Sequence, residues 1–182
     1  MTKLLTVEPG ITPDSIAVLE PGYSYPLLRC RTLKELAART RSEPQWTVKW
    51  ENHPVAFFAV HRHLDPVPDS EPEEQWYETV IHVDPAFRGN GVASAVTIAT
   101  AEWFARQTIP VKLLVDVNTA NLESVKAHRK MLPGYPVVVN KQPNRTYQWQ
   151  LPKHPVIFLQ HPAYSYRLAE QLHPQLDAYF PH

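Results

Sequence analysis

Two glycines stand one residue apart, Gly89 and Gly91, within Val83-Asp84-Pro85-Ala86-Phe87-Arg88-Gly89-Asn90-Gly91-Val92-Ala93, in a chain of 182 residues that holds only 5 glycines. An apolar run ends at Val83 and a run free of glycine and proline, Ala93 to Gln107, follows, so the segment joins a strand to a helix. The first N–H groups of a helix lack internal acceptors, the helix dipole places positive charge there, and glycine lets a ligand approach the main chain. The chemistry suited to such a junction is pyrophosphate binding. Asn90-Gly91 is also a strong hairpin signal, but a helical pattern follows it rather than a strand. A dinucleotide-binding loop would need glycine or alanine at Ser94, and a P-loop would need Lys then Ser or Thr after the second glycine; neither requirement is met. His61-x-His63 and the single Cys30 do not make a metal-ligand set, so no metal is expected and the histidine pair reads as a solvated strand end. No Gly-x-Ser-x-Gly occurs and Cys30 has no evident partner, which argues against a serine or cysteine hydrolase.

The loop needs a frame to hold it. Trp76 to Val83 reads as the strand that delivers it. Before that, Trp46, Val48 and Trp50 alternate with polar residues, Asn52-His53-Pro54 supplies a turn, and Val55 to Val60 is apolar throughout, as in a strand buried on both faces. Nearer the start, Leu4 to Val7 can form a short strand. Thr12-Pro13-Asp14 begins a short helix through Ile16 to Leu19, and Thr32 caps another in which Leu33, Leu36 and Ala37 recur at helical spacing, with Arg39 and Arg41 near its end. Leu64 to Gln75, with Pro66, Pro68, Pro72 and several acids, reads as surface loop.

Beyond the loop, Ala93 to Gln107 places Val92, Val96, Ala99 and Trp103 on one stripe and predicts an amphipathic helix. Val111 to Val117 predicts a strand, Leu122 to Met131 a helix, and Tyr135 to Asn140 with Thr146 to Leu151 a closing hairpin around Lys141-Gln142-Pro143-Asn144. The fold class expected is α/β (α+β): a mixed sheet flanked by helices, occupying residues 1–151 as one domain. Residues 152–182 predict an extension, a strand at Val156-Ile157-Phe158-Leu159 and a helix carrying Tyr164, Leu168 and Leu172 that Pro174 ends. Such an extension packs on its own domain or crosses to a second copy to build a homodimer.

Lys+Arg and Asp+Glu balance at 18 each, so no summed field draws the chain to nucleic acid or an anionic membrane. No uncharged apolar run approaches the ~18 residues of a membrane span. The N-terminus meets Glu8 too early for a secretory apolar region, and a cytoplasmic location is expected.

Arg88, Gly91 and Ala93 also satisfy the pattern Arg/Gln-x-x-Gly-x-Gly/Ala. Val83-Asp84-Pro85 precedes it; Asn121-Leu122-Glu123-Ser124 and then Gly134-Tyr135 follow after a helix and a strand. In these motifs, from about residue 80 to 135, the sequence resembles the GNAT superfamily of acyl-CoA-dependent N-acetyltransferases. The resemblance implies a mostly antiparallel sheet with one splayed strand pair holding acetyl-CoA as co-substrate. Backbone N–H groups of Arg88, Gly89, Asn90, Gly91, Val92 and Ala93 would cradle the pyrophosphate. The pantetheine arm would pair with Ile81, His82 and Val83, and Asn121, with Ser124 of the same motif, would meet it from the fifth-strand side.

The implied reaction is direct acetyl transfer to an amine: a small amine, a peptide N-terminus or a lysine. An alkylammonium of pKa ~10.4 must first lose a proton. Glu78 is the candidate base, since some family members carry a glutamate near that place, and His82 is an alternative. Many members protonate the leaving thiolate with a tyrosine seven residues after the asparagine; here that residue is His128, which can donate a proton at neutral pH, while Tyr135 is expected in the core. The departure at His128 favours a rival reading, a non-catalytic acyl-CoA-binding sensor or regulatory module.

Overall fold

A computed structural model describes residues 5–23, 30–64, 67, 70–108, 110–131, 138–140, 146–150 and 165–180. The elements run β1 (Leu5–Pro9), α1 (Pro13–Leu19), α2 (Leu33–Arg39), β2 (Gln45–Trp50), β3 (His53–Arg62) and β4 (Gln75–Val83). They continue with α3 (Val92–Arg106), β5 (Val111–Asn118), α4 (Leu122–Met131), β6 (Val138–Asn140), β7 (Thr146–Gln150) and α5 (Ser165–Tyr179). The Gly134-Tyr135 motif, the turn residues Lys141 to Asn144, Tyr164 and the strand expected at Val156 to Leu159 lie outside the described residues.

The strands form one seven-stranded sheet in the order β1-β2-β3-β4-β5-β7-β6. Every neighbouring pair is antiparallel except β4 with β5. The fold is therefore a mixed, mostly antiparallel sheet flanked by helices. β3 is an inner strand, and its Val55 to Val60 are all fully buried, as an apolar run covered on both faces requires. The turn before β3 falls one residue earlier than the sequence predicts. His53 already pairs with Trp50, and the two turn residues are Glu51 and Asn52, both at positive φ (49° and 68°) as in a tight hairpin. Pro54 is tolerated inside the strand because it adjoins a register shift opposite Val48 and Lys49.

Helices cover both faces. On one, Leu19 of α1 and Leu33, Leu36 and Ala37 of α2 pack with Phe57 and Ala59 of β3. The Thr32–Glu35 capping box fixes the start of α2. On the other, α3 and α5 lie against Ala56, Phe58 and Val60. The stripe expected on α3 is a misreading: Ala95, Thr97, Ile98, Thr100, Ala101 and Phe104 are buried along with Val92, Val96, Ala99 and Trp103. The reason is α5, which packs on α3 and β1, so that α3 is enclosed by sheet and helix together.

The helix of the C-terminal extension also continues past Pro174, where the sequence predicts its end. Pro174 and Glu170 are exposed, so the carbonyl that loses its partner can turn to water. Among the described residues no helix is long and apolar enough to cross a membrane.

Candidate functional site

The only parallel contact among the described strands is short. β4 and β5 pair from Gln75 with Val111 to Glu78 with Leu114, and there the register stops. From Leu114 onward β5 pairs with β7 instead, while β4 runs on to Val83 against β3. Thr79 to Val83 thus present an edge that no strand pairs with among the described residues, and Glu78 stands at the fork. An extended ligand arm can lie along such an edge as a further strand would.

The open edge leads into the glycine-bearing loop. Asp84 accepts a hydrogen bond from Ala86 N (2.8 Å) and caps a single 3₁₀ turn at Pro85–Phe87. The Phe87 ring rests near Trp50 and His53, with ring centres 6.1 and 5.7 Å away, which ties the turn to the β2–β3 hairpin. Arg88 Nε donates to the Val83 carbonyl (3.1 Å), and Asn90 Nδ2 donates to the Phe87 carbonyl (3.1 Å), so the side chains brace the loop from within. Gly89 and Gly91 both adopt φ of 78°, a left-handed conformation that costs an L-residue about 1–2 kcal/mol. A Cβ on Gly89 would meet nothing within 4 Å, so the loop has open space on that side. Gly91 is the N-cap of α3 and no side chain caps the helix there, which leaves the first-turn N–H groups to an outside acceptor. These features fit a pyrophosphate at the loop and an extended arm on the β4 edge.

The candidates on β4 divide by strand alternation. Ile81 packs toward the α3 side. His82 points the other way and is fully buried; its Nε2 lies 3.2 Å from the Leu19 carbonyl and its ring meets Tyr23 edge-on at 5.3 Å. Burial holds its pKa below the ordinary histidine value, although the Leu19 carbonyl opposes this. The imidazole is thus a structural tie between β4 and the end of α1, and the expectation that it is an alternative base does not survive; only its backbone faces the fork.

Glu78 is on the same face as His82 but nearer the fork. Its two oxygens lie 3.3 Å from His61 Nε2 and 3.5 Å from His63 Nδ1. Burial raises its proton affinity, but the His63 contact and the charges of His61, His63 and Arg39 outweigh that and set its pKa below the ordinary carboxylate value. The histidine pair is accordingly not the solvated strand end that the sequence predicts. His63 also lines an open cleft of about 290 Å³ with Arg62, Glu71, Glu74 and Trp76.

On the β5 side, Asn121 Oδ1 accepts from Ser124 N (3.2 Å) and so caps α4, which leaves its amide nitrogen as the group that can donate to an arm in the fork. His128 folds back on its own helix, with Nδ1 2.8 Å from the Ser124 carbonyl and 3.2 Å from Ser124 Oγ. A carbonyl cannot donate, so Nδ1 carries the hydrogen, and burial lowers the pKa despite that bond. His128 is neutral at neutral pH, which weakens it as the thiolate's acid.

Sequence reasoning missed the two histidines around Glu78, although His61 and His63 share a face by alternation. Gly22 ends the turn that follows α1. A Cβ there would come within 2.3 Å of Pro85 Cδ, so the turn after α1 and the turn after β4 touch through this glycine. Among the described residues no group of three or more His, Cys, Asp or Glu side chains is arranged to hold a metal ion.

The sequence matches the model of the "Acetyltransferase (GNAT) family" over residues 14–132. No curated protein matches it by sequence. Solved structures share its fold. Arabidopsis thaliana Naa50 in complex with the bisubstrate analogue CoA-Ac-MVNAL superposes with a TM-score of 0.54 at 15% identity, covering 80% of this chain and 97% of that one. Arabidopsis thaliana NAA60 in complex with acetyl-CoA gives 0.55 at 14% identity, with 81% and 98% covered. An N-acetyltransferase from Staphylococcus aureus Mu50 gives 0.54 at 17% identity, with 81% and 99% covered.

Proposed function

The chain belongs to the acetyltransferase (GNAT) family, and on that footing we propose that it transfers the acetyl group of acetyl-CoA directly to an amine. The observation that carries this reading is the continuous path from the fork, where β4 and β5 cease to pair, to a helix N-terminus that no side chain caps. The N–H groups of residues 88–93 would hold the pyrophosphate and those of Ile81 to Val83 the pantetheine arm, with the Asn121 amide nitrogen donating from the β5 side. Such an arm ends near Glu78, where the strands separate. There an alkylammonium must lose a proton before its nitrogen can attack. Glu78, held ionised, draws that proton away from the acceptor, directly or through a neighbour. The bisubstrate analogue held by Naa50 joins CoA to a peptide, which supports an amine at a peptide N-terminus as one acceptor class beside small amines and lysine.

A neutral His128 hydrogen-bonded to its own helix favours the second reading, a module that binds acyl-CoA without turning it over. Two measurements separate the readings. Acetyl-CoA at a hundred times its Kd stabilises a binding protein by about 2.7 kcal/mol, so both readings expect a raised Tm. Gly91→Glu should abolish that shift by placing a carboxylate where the pyrophosphate lies, with the unliganded chain still folded; an unchanged shift would remove the proposed site. Release of free thiol on adding a panel of amines is expected only of the enzyme.

A further inference from the structure

The base for this reaction can be assigned more closely, and the assignment rests on the acetyl-transfer reading above. We propose that His61 takes the proton from the acceptor amine, while Glu78 orients it and His63 secures the second carboxylate oxygen. β3 and β4 are in a register that puts His61 directly opposite Glu78. His61 Nε2 lies 3.3 Å from one carboxylate oxygen and His63 Nδ1 3.5 Å from the other. His63 sits just past β3, where its N–H donates to the Trp76 carbonyl (2.8 Å) and fixes its backbone.

A carboxylate repels a nitrogen lone pair, so both facing nitrogens carry hydrogen. With its hydrogen on Nε2, neutral His61 carries its basic lone pair on Nδ1. The His61 side chain keeps 24% of its surface exposed against 7% for His63, so His61 is the imidazole that a substrate can reach. The charged and titratable groups around it are Glu78 from β4, His63 from the end of its own strand, and Arg39 from α2, whose charge reaches Glu78.

The magnitudes favour an imidazole over the carboxylate. Moving a proton from an ammonium of pKa ~10.4 to an ordinary histidine at ~6.5 is about a hundredfold less unfavourable than moving it to an ordinary glutamate at ~4.3. In the step, the ammonium N–H bond breaks and the proton goes to His61 Nδ1. The freed lone pair forms the bond to the acetyl carbon as the C–S bond breaks, its electron pair leaving on sulfur. The second nitrogen proton passes to the thiolate to give the free thiol, and His61 returns its proton to solvent. Glu78 stays ionised throughout and stabilises the imidazolium.

The test begins on the full chain with acetyl-CoA present and needs no turnover. Long-range ¹⁵N NMR should show the Nε2–H tautomer for His61 and Nδ1–H for His63, and Glu78→Gln should scramble both. The reverse tautomer at His61, or tautomers unmoved by Glu78→Gln, would overturn the assignment. With an acceptor from the amine panel, His61→Ala and the bulkier His61→Gln should lower kcat/KM by 10²–10⁴-fold, the range for a lost general base, and free imidazole should restore part of it in the alanine variant. KM for acetyl-CoA should not change. A pH–kcat/KM profile in His61→Ala that matches the parent's would also overturn the proposal. Loss of the acetyl-CoA Tm shift in the parent is a different failure, since it removes the acetyl-transfer reading itself.

Discussion

A carboxylate with two imidazoles and a nearby guanidinium around it gives the residue scale its clearest prediction. Glu78→Gln keeps the shape and removes the charge, so turnover should fall by 10²–10⁴-fold while acetyl-CoA binding, measured by Tm shift, stays close to the parent's. Activity within a few-fold of the parent would show that proton removal does not depend on the Glu78 charge. His82 makes the second prediction. Its folded pKa is depressed, so the unfolded chain binds the proton more readily; stability is full above the unfolded value near ~6.5 and falls as pH drops below it. His82→Gln should lower stability overall yet flatten that decline in Tm between neutral and acid pH, and an equally steep decline would locate the acid sensitivity elsewhere. The glycines at 89 and 91 were legible in the sequence because the loop needs positive φ at both. The role of His61 and His63 was not, because it depends on which residue of β4 lies opposite, and no local pattern fixes a cross-strand register.

Elements were legible where their signals are local. Thr32 marked the start of α2, and Leu122 to Met131 fits α4 from end to end. The β2–β3 turn was misplaced because Asn52-His53-Pro54 carries stronger turn residues than Glu51, yet strand pairing continues through His53. Two elements meet in a way that the sequence does not hint at. Gly22 lets the turn after α1 lie against Pro85, the residue that opens the turn before the glycine loop. Gly22→Ala must displace one turn from the other, with the 1–3 kcal/mol cost usual for overpacking. The expected outcome is a lowered Tm together with a weaker acetyl-CoA shift, as the loop moves with Pro85. A lowered Tm with an undiminished shift would show that the two turns are mechanically independent.

At the scale of the molecule, α5 is what makes α3 a buried helix. Leu168, Leu172 and Leu176 recur every four residues and all are fully buried, each worth about 1.5–3 kcal/mol. Their sum is comparable to the ~5–15 kcal/mol that holds a whole domain folded. A chain ending at Leu151 should therefore be unfolded or aggregated by circular dichroism and light scattering. A folded monomer from that truncation, with a dimeric parent, would instead support exchange of the tail between copies as the basis of a homodimer. The tail's apolar stripe was readable, but its destination was not. The bonds that direct it join residues far apart in the chain: Trp46 Nε1 to Gln175 (2.7 Å), Trp103 Nε1 to Asp177 (2.7 Å), and His173 Nε2 near the Ala99 carbonyl (2.8 Å).

One further bond of α5 concerns the border of the sheet. β1 is an outermost strand, and the Gln171 side chain accepts from Val7 N (2.9 Å) and donates to the Leu5 carbonyl (3.2 Å). A single carboxamide thereby does for β1 what a neighbouring peptide unit would do, offering one acceptor and one donor in the order that a strand presents them. An exposed outer strand is a template on which another chain can add itself. Here the template is already engaged by a helix at Leu5 and Val7, so a strand from another molecule would have to displace both hydrogen bonds of one glutamine before the sheet could grow along this side.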